Sequence, residues 1–279
     1  MKPPPFAYVA ARSLEEALAA LAEGGEDAKP IAGGQSLVPA LAMRLVRPTL
    51  LVDLRHAGLD GLERENGSVR VGATVRQAAL QRSELAHPLA REALPHVGHV
   101  ATRNRGTVGG SVAHADGAAE LPLCLVAAGG TVVAEGPAGR RELPAAGFFV
   151  THYLTALAPG ELLVETTWPA PRDGQRFAFE EQALRAGDFA LATAAVSLTV
   201  EDGAVREATV AVGAVTDRPT VLEEVGAALA GAAPAPGLAE EAGALASRLV
   251  DPPGTVHASA AYLRHLTGVL VTRALARAL

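Results

Sequence analysis

Residues 29–54, KPIAGGQSLVPALAMRLVRPTLLVDL, hold the pattern that decides how the chain begins to fold. A short apolar run ends at Gly33 and Gly34, a helical run starts near Ser36, and TLLVDL resumes as a buried strand. Pro39 is compatible with that helix because proline is tolerated in the first helical turn. The stretch therefore predicts a strand, a glycine turn, a helix and a second strand.

The residues before this stretch extend the same pattern. FAYVA (6–10) predicts a strand, and SLEEALAALAE (13–23) predicts a helix in which Ser13 and Glu16 are spaced as a capping box. Alternating strands and helices of this length favour a parallel α/β unit. We therefore expect the N-terminal segment to form a small β-α-β-α-β lobe.

Two further patterns follow along the chain. A second lobe is predicted from VRVGA (69–73) to about Pro171, with several helices, a buried helix in AELPLCLVAAGG (119–130) and further strands. Within this lobe, HVATRNRGTVGGSVAHADGAAELP (99–122) is polar and rich in glycine, which predicts a loop. After Pro171 the long β-like runs are typical of an antiparallel sheet, and from residue 220 onward the pattern is helical.

Composition and charge exclude several classes of protein. The chain has 279 residues, of which 49% are hydrophobic and 19% charged, as in a compact globular protein and unlike a disordered one. A net charge of −6 offers no basic field for nucleic acid or for an anionic membrane. The three prolines in MKPPPFAYVAAR argue against a signal peptide, and the lack of a long apolar run argues against a membrane span. We therefore expect a cytoplasmic protein.

The chain has a single cysteine, Cys124. One cysteine rules out an internal disulfide, and it cannot supply the set of thiolates that an iron–sulfur cluster normally needs. Any such cluster that works with this protein must therefore belong to another chain.

Two glycine-rich segments carry the strongest functional signal. Both place consecutive glycines beside small hydroxyl residues: Gly33, Gly34 and Ser36 in the first, and Thr107, Gly109, Gly110 and Ser111 in the second. Because glycine has no Cβ, such segments adopt positive φ and bring backbone N–H groups close to a phosphate. We expect them to bind a pyrophosphate, with tight turns that serve packing as the alternative. Neither segment matches G-x-G-x-x-G or the P-loop pattern.

AGGQSLVP (32–39) and TRNRGTVGGSVAHAD (102–116) together resemble the motifs of the flavin-binding medium subunit of the molybdenum hydroxylases. FEEQALRAGDFALATAAVSL (179–198) and VHASAAYLRHLTGVLVTRAL (256–275) are similar to further segments of that family, so the resemblance covers the whole chain. The family includes carbon monoxide dehydrogenase-type enzymes and enzymes that oxidise nicotinate or quinoline. More distantly, it includes the FAD domain of xanthine dehydrogenase.

The resemblance implies an α+β fold in which a two-lobed FAD-binding domain precedes an α+β C-terminal domain. The FAD-binding domain would be of the vanillyl-alcohol oxidase (PCMH) type, and the C-terminal domain, of the CO dehydrogenase flavoprotein type, would combine an antiparallel sheet with helices. The implied boundaries are 1–55 for the first FAD-binding lobe, 56–172 for the second and 173–279 for the C-terminal domain.

By the same resemblance the cofactor is FAD, held between the two lobes. The residues expected to contact it are Ile31, Ala32, Gly33, Gly34, Gln35, Ser36, Leu37, Val97, Thr107, Val108, Gly109, Gly110, Ser111, Asp116 and Glu120. The carboxylate of Glu120 suits the ribose or adenosine side of FAD because it accepts hydrogen bonds from sugar hydroxyls, and Val97 with Gly98 would offer an apolar edge to the flavin ring. The alternative for Glu120 is a solvated carboxylate at a helix start, which the helix dipole favours.

The resemblance also implies that the chain is an electron relay. In such an enzyme the substrate is hydroxylated at a molybdopterin centre in a large subunit, electrons pass through [2Fe-2S] clusters in a small subunit, and the FAD of the medium subunit delivers them to an acceptor. We therefore expect a large molybdopterin-binding subunit and a small iron–sulfur subunit as partners, in one heterotrimer or a dimer of heterotrimers. No residue of this chain is expected to be catalytic or to bind a metal.

The chain departs from the family's pattern at two points. Gly117 follows His114-Ala115-Asp116 where the family usually has proline, and the family often carries a lysine near Glu181. We therefore expect the rigidity of the loop at Gly117 and the charge around the flavin to differ from those of the relatives.

Other functions stay open at this point. A stand-alone FAD-dependent oxidase or reductase would oxidise a substrate directly in the cleft, and a non-catalytic nucleotide-binding scaffold would have lost its flavin site. Ser36 with His114 and Asp116 would serve a hydrolase, although the final glycine of G-x-S-x-G is missing.

Two other side-chain groups have a functional and a simpler interpretation. His96, His99 and His114 with Asp116 are residue types that bind zinc or iron, or else they are hydrogen-bonding residues of a loop. Arg103 and Arg105 would either dock a partner or a flavin phosphate, or be solvated charges.

Overall fold

The N-terminal segment forms a small parallel sheet in the computed structural model, which describes residues 2–279. Its elements, in chain order, are β1 (Ala7–Ala10), α1 (Leu14–Gly24), a 3₁₀ helix (Gly25–Asp27), β2 (Ala28–Ile31), α2 (Leu37–Ala42) and β3 (Leu50–Asp53). The strands lie in the order β1, β3, β2, and both outer strands run parallel to β3. The predicted β-α-β-α-β lobe is confirmed, and the Ser13 hydroxyl caps α1 by accepting a hydrogen bond from the Glu16 amide.

The second lobe is built on a five-stranded antiparallel sheet in the order β4, β5, β10, β6, β7. Its strands and helices are β4 (Leu62–Glu65), β5 (Ser68–Gly72), α3 (Gln77–Arg82), α4 (Pro88–Ala93), α5 (Val100–Arg105), α6 (Val108–His114), α7 (Glu120–Ala127), β6 (Thr131–Gly136), β7 (Gly139–Pro144), α8 (Ala145–Phe148), β8 (Phe149–Thr151), β9 (Leu154–Thr155) and β10 (Leu162–Pro169). The edge strands β4 and β7 were not predicted because their side chains are mostly exposed and show no apolar alternation.

The C-terminal part combines a four-stranded antiparallel sheet with helices, as predicted. Its elements are β11 (Gln175–Ala183), β12 (Ala190–Glu201), β13 (Ala204–Gly213), β14 (Thr220–Val221), α9 (Glu223–Leu229), α10 (Leu238–Leu249) and α11 (Ala260–Ala278). Helices α9, α10 and α11 form one apolar core with this sheet. The fold class predicted from the sequence, a mixed α+β chain with an antiparallel C-terminal sheet, is confirmed.

The prediction of a loop over residues 99–122 is wrong for the part that forms α5 and α6, whereas the helix predicted over 119–130 is found as α7. Thr107 caps α6, since its hydroxyl accepts a hydrogen bond of 3.0 Å from the Gly110 amide. At Gly109 a Cβ atom would lie 2.5 Å from the Cα of Ala73, so α6 packs on the second lobe at backbone distance. The glycines of this segment therefore permit close packing of a helix.

Helix α7 joins the second lobe to the C-terminal sheet. Every residue of α7 is buried, and the helix packs against α4 and α6 on one side and against β12 and β13 on the other. The apolar core around it includes Phe179, Ala195 and Ala211 of the C-terminal sheet. The second lobe and the C-terminal sheet therefore share one continuous core.

A polar contact at the surface strengthens this junction. The Glu92 carboxylate of α4 accepts hydrogen bonds from the Phe179 amide at 3.0 Å and from the Arg277 guanidinium at 2.8 Å. Arg277 also donates to the Phe179 carbonyl and to the Glu180 carboxylate. One carboxylate thus links α4 to both β11 and α11.

Replacing Glu92 with alanine is expected to lower the free energy of unfolding by about 1–3 kcal/mol, because the Phe179 amide and Arg277 lose a charged acceptor. Urea unfolding followed by circular dichroism measures the change. Glu207→Ala is the matched control, since Glu207 pairs with Arg172 on the exposed surface and should cost less than about 0.5 kcal/mol. Equal losses in the two variants would show that the Glu92 contact does not hold the junction.

Candidate functional site

The first glycine segment presents a row of unused backbone donors. It connects β2, which ends at Ile31, to α2, which begins at Leu37. Within residues 2–279, the amide N–H groups from Gly33 to Leu37 donate no hydrogen bond. Gly34 has a φ of 70°, the positive value expected for this segment, and turns the chain toward α2. Consecutive free amides of this kind form a binding surface for an anion.

The second glycine segment works differently from the sequence-based expectation. The amides of Val108 and Gly109 donate to the carbonyls of Val75 and Ala73, at 2.9 and 3.1 Å. The Gly110 amide donates to the Thr107 hydroxyl, and the Ser111 amide to the Thr107 carbonyl. Gly109 and Gly110 are helical and are not among the glycines with positive φ. The prediction that these glycines expose backbone donors is therefore wrong, because the Gly109 amide holds α6 against Ala73 and the Gly110 amide is capped by Thr107.

The two segments meet at a backbone contact. A Cβ atom on Gly33 would lie 2.5 Å from the Arg105 carbonyl oxygen and 2.8 Å from the Cα of Gly106. On the other side, a Cβ on Gly110 would lie 2.6 Å from the Thr107 hydroxyl and 3.6 Å from the Cβ of Ala32. The predicted grouping of the two segments in space is therefore found, with the free amides of the first beside the N-terminal end of α6.

Arginine side chains surround this contact. Arg76 donates a hydrogen bond to the Arg105 carbonyl, and the pKa of Arg76 is lowered by burial and by the charges of Arg105 and Arg55. Arg55 is held by Asp53 at 3.0 Å, and Asp53 also accepts from the Tyr8 hydroxyl at 2.5 Å. Arg55, Arg76 and Arg105 therefore lie near one another, and the backbone of Arg105 contacts Gly33. Arg55 and Arg76 lie outside both glycine-rich motifs, so no sequence signal pointed to them.

The interpretation of Arg103 as a solvated charge is wrong. Its side chain is buried and donates to the carbonyls of Val97 and Gly98, at 2.9 and 3.0 Å, and to the Gln81 side chain. These bonds fix the turn at Val97 and Gly98, where Gly98 has a φ of 47°. Arg103 thus fixes the backbone of the Val97–Gly98 turn, which is the apolar edge predicted to border the flavin ring.

Glu120 is buried, so its interpretation as a solvated helix-start carboxylate is wrong. Burial, opposed by a hydrogen bond from the backbone amide of Glu120, raises the pKa of Glu120 to about 7, and the smaller effects of Asp116 and Arg103 act in opposite directions. Asp116 accepts hydrogen bonds from the Ala118 amide at 2.9 Å and from the Tyr153 hydroxyl at 3.3 Å. Asp116 therefore shapes the turn that leads into α7.

The residues of the hypothetical metal site and of the hypothetical hydrolase site do not come together. His114 stacks on Tyr153 with ring centroids 4.8 Å apart, His99 lies against Gly187, and His96 lies 3.7 Å from Glu181. Across residues 2–279 no group of three or more histidine, cysteine or acidic side chains is placed to hold a metal ion. A hydrolase would need a hydrogen bond that links Ser36 to His114 or Asp116. In the same range, Ser36 makes neither bond.

Local contacts explain why position 117 carries glycine where the family usually has proline. The Gly117 amide donates to the His152 ring at 3.3 Å, a bond that proline cannot make. A Cβ there would lie 3.0 Å from the Thr216 carbonyl oxygen. Glycine therefore suits the close packing of this turn against the residues after β13.

No helix among residues 2–279 is both long and apolar enough to cross a membrane.

Comparison with known proteins gives matches along the whole chain. Residues 4–171 match the model of the FAD binding domain in molybdopterin dehydrogenase, and residues 177–278 match that of the CO dehydrogenase flavoprotein C-terminal domain. The 6-hydroxypseudooxynicotine dehydrogenase complex subunit alpha of Paenarthrobacter nicotinovorans is 41% identical over 100% of this chain and 96% of its own. The carbon monoxide dehydrogenase medium chain of Afipia carboxidovorans is 36% identical over 100% and 98%.

A solved structure gives the same result. A chain of quinoline 2-oxidoreductase from Pseudomonas putida 86 superposes with a TM-score of 0.95 at 38% identity, covering 100% of this chain and 98% of that one.

Gly109→Ala tests the close packing of α6. The added methyl would overlap the backbone and side chain of Ala73, so we expect the free energy of unfolding to fall by about 1–3 kcal/mol in a urea titration. Gly147→Ala is the control, because a Cβ on Gly147 meets no atom within 4 Å. If both variants were as stable as the wild type, α6 would not be packed at this distance.

Proposed function

This chain belongs to the family of FAD-binding medium subunits of the molybdenum hydroxylases, and from that premise we propose that it is the electron relay of a heteromeric enzyme. It is a flavoprotein subunit of an oxidoreductase complex, and its cofactor is FAD. In the proposed relay, electrons arrive from iron–sulfur clusters of a partner subunit and leave to an external acceptor through FAD.

The observation that carries the proposal is the row of free amides from Gly33 to Leu37 beside the backbone of Arg105 and Gly106. A pyrophosphate is a compact dianion that accepts several N–H donors at once, so it fits this row and the positive potential of Arg55, Arg76 and Arg105. The absence of a side chain at Gly33 lets the backbone of Arg105 and Gly106 approach the row, and Gly34 supplies the positive φ of the turn. These features fit FAD on chemical grounds that do not depend on the relatives.

The remaining contacts to FAD are assigned by residue type. Within Ile31–Leu37 the backbone would hold the pyrophosphate, and the hydroxyls of Thr107 and Ser111 would donate to it from the other side. The buried carboxyl of Glu120 would accept from sugar hydroxyls, and the turn at Val97 would border the flavin ring. Val108, Gly109 and Gly110 would contribute close approach, since their amides are used within the protein.

FAD, when bound, supplies the redox chemistry of the subunit. The residues of this chain bind and orient it. Arg103 keeps the Val97–Gly98 turn in place, and Arg76 binds the Arg105 carbonyl, against which Gly33 packs. We assign no proton-transfer role at a substrate, because the organic substrate would be oxidised in another subunit.

The partners follow from the same proposal. A large molybdopterin-binding subunit and a small subunit with [2Fe-2S] clusters would complete the enzyme, as one heterotrimer or a dimer of heterotrimers. The single cysteine, Cys124, is buried in α7, which supports a division in which clusters belong to another chain. A cytoplasmic location and the domain boundaries at 55 and 172 are part of this proposal.

Gly33→Ala tests the pyrophosphate assignment. The new methyl would collide with the Arg105 carbonyl and displace the free amides, so we expect the dissociation constant for FAD to rise about tenfold or more. Titration of the purified apoprotein with FAD, followed by the visible absorption of the flavin, measures it. Gly147→Ala should bind like the wild type. Unchanged affinity in Gly33→Ala would remove this segment from the site.

Copurification from the native host tests the relay. We expect flavin absorption together with a large and a small companion subunit. Flavin without companions, bleached directly by an organic substrate, would instead identify a stand-alone flavin enzyme. A wild-type chain that takes up no FAD would leave a non-catalytic scaffold.

A further inference from the structure

We propose that an open cavity lined by β4, α4 and the residues that follow β10 is a binding site for a small carboxylate with an apolar body. Arg64 would pair with the carboxylate, and the unused ring N–H of His87 would donate a hydrogen bond to it. None of the residues that line this cavity is among those assigned to FAD, so the proposal does not depend on the proposed function.

The cavity has the size and the lining of a small-molecule site. Its volume is about 280 Å³, just below the range of about 300–1,000 Å³ that is usual for ligand pockets. Its walls are mainly apolar and are formed by Val69, Leu85, Ala86, Pro88, Pro169 and Pro171. An apolar pocket with a few polar groups is the usual form of such a site, and here His87 and Arg64 are two of those groups.

His87 is a buried polar side chain at this cavity. Its side chain is 5% exposed, and its ring centroid lies 4.7 Å from that of Phe177 and 5.7 Å from that of Trp168. Burial lowers the pKa of His87 to about 4, so its ring is neutral at neutral pH. The Nδ1 atom accepts a hydrogen bond from the Leu89 amide at 3.3 Å, and the single ring proton is therefore on Nε2.

The Nε2–H group of His87 has no acceptor within residues 2–279, where the bond to the Leu89 amide is the only hydrogen bond of this ring. The neighbouring indole N–H of Trp168 is satisfied, because it donates to the Thr166 hydroxyl at 3.0 Å. A buried donor without an acceptor is unfavourable, and an acceptor atom of a ligand would satisfy it. The cavity therefore favours a ligand that carries a hydrogen-bond acceptor.

The charges at the cavity favour an anion. The exposed guanidinium of Arg64 forms no ion pair and no hydrogen bond in the described part of the chain. Arg91 donates to two main-chain carbonyls and keeps its full charge. Of the two acids that line the cavity, Glu92 is paired with Arg277, which leaves only Glu84 against two arginines.

A carboxylate satisfies both polar groups, because one of its oxygens can pair with the Arg64 guanidinium while the other accepts from the His87 ring. An apolar body attached to the carboxylate would cover the proline and valine surface of the walls and remove it from water. The ligand class is therefore a small aliphatic or aromatic acid.

Cyclohexanecarboxylate is the probe, since it is a small carboxylate whose saturated body does not absorb with tryptophan. Trp168 is the only tryptophan of the chain and lies beside His87, so its fluorescence reports on this cavity. At constant ionic strength we expect a saturable change on titration of the full chain, and a matching rise in Tm. The uncharged analogue cyclohexylmethanol should have a dissociation constant about tenfold higher or more.

Two results with the wild type would overturn the proposal. One is the absence of both a fluorescence change and a rise in Tm. The other is equal affinity for the acid and the alcohol, because the carboxylate would then make no contribution.

Arg64→Gln tests the ion pair, and because Arg64 is exposed and unpaired this variant should fold like the wild type. We expect the dissociation constant for cyclohexanecarboxylate to rise about fivefold or more. Arg82→Gln is the matched control, because Arg82 is also exposed, forms no ion pair among residues 2–279 and does not line the cavity. Equal affinities in the two variants would show that the acid binds elsewhere.

His87→Phe tests the hydrogen bond, because it keeps an aromatic ring beside Trp168 and Phe177 but removes the Nε2–H group. We expect the dissociation constant for the acid to rise about fivefold or more, with the affinity for FAD unchanged. Unchanged affinity for the acid would remove His87 from the site. Should His87→Phe fail to fold, the comparison of Arg64→Gln with Arg82→Gln still decides the proposal.

FAD separates this cavity from the row of free amides. The rise in Tm with cyclohexanecarboxylate should give the same affinity for the FAD-free and the FAD-loaded chain, because the two sites share no residue. Competition between the acid and FAD would assign the acid to the row of free amides and overturn the proposal. A chain that binds no FAD contradicts the proposed function alone, since the titration of the FAD-free chain is unaffected.

Discussion

The contact of Gly33 with the backbone of Arg105 and Gly106 is the constraint on which the rest of the site depends. It sets where the free amides of the first lobe lie relative to the second lobe. The Arg105–Gly109 corner is itself held by main-chain bonds to the segment from Ala73 to Gln77, directly after β5. These hydrogen bonds fix the backbone of the corner to the second lobe, and the corner in turn sets the position of the first lobe. Any side chain at Gly33 would break this chain of contacts.

Local sequence patterns predicted the parallel lobe, the buried helix α7 and the antiparallel C-terminal sheet, because each depends on the periodicity of nearby apolar residues. The edge strands β4 and β7 escaped prediction because charged, exposed side chains carry no such period. The segment from His99 to Glu120 was mistaken for a loop because glycine and polar residues usually mark turns. Its helices depend on packing against Ala73 and Val75, which no local pattern contains.

The candidate site also has features that the sequence predicts and features that it does not. Both glycine segments could be found from the sequence, since their composition is unusual and they resemble a known family. The opposite roles of their amides could not, because the acceptors for Val108 and Gly109 lie far back in the chain. The roles of Arg76 and Arg103 could not be predicted either, because nothing in the sequence distinguishes an arginine that binds main-chain carbonyls from one that is exposed to solvent. Their roles are defined by what surrounds them.

The two departures from the family's pattern, at Gly117 and near Glu181, lie on the same row of contacts between β11, β12, β13 and the start of α7. At Gly117 the backbone gains a hydrogen bond to His152 and closes against the loop after β13. At Glu181 the side chain is 3% exposed, and burial raises its pKa to about 8. The two departures therefore fall together where the start of α7 packs on the C-terminal sheet, so they change the junction and not the row of free amides.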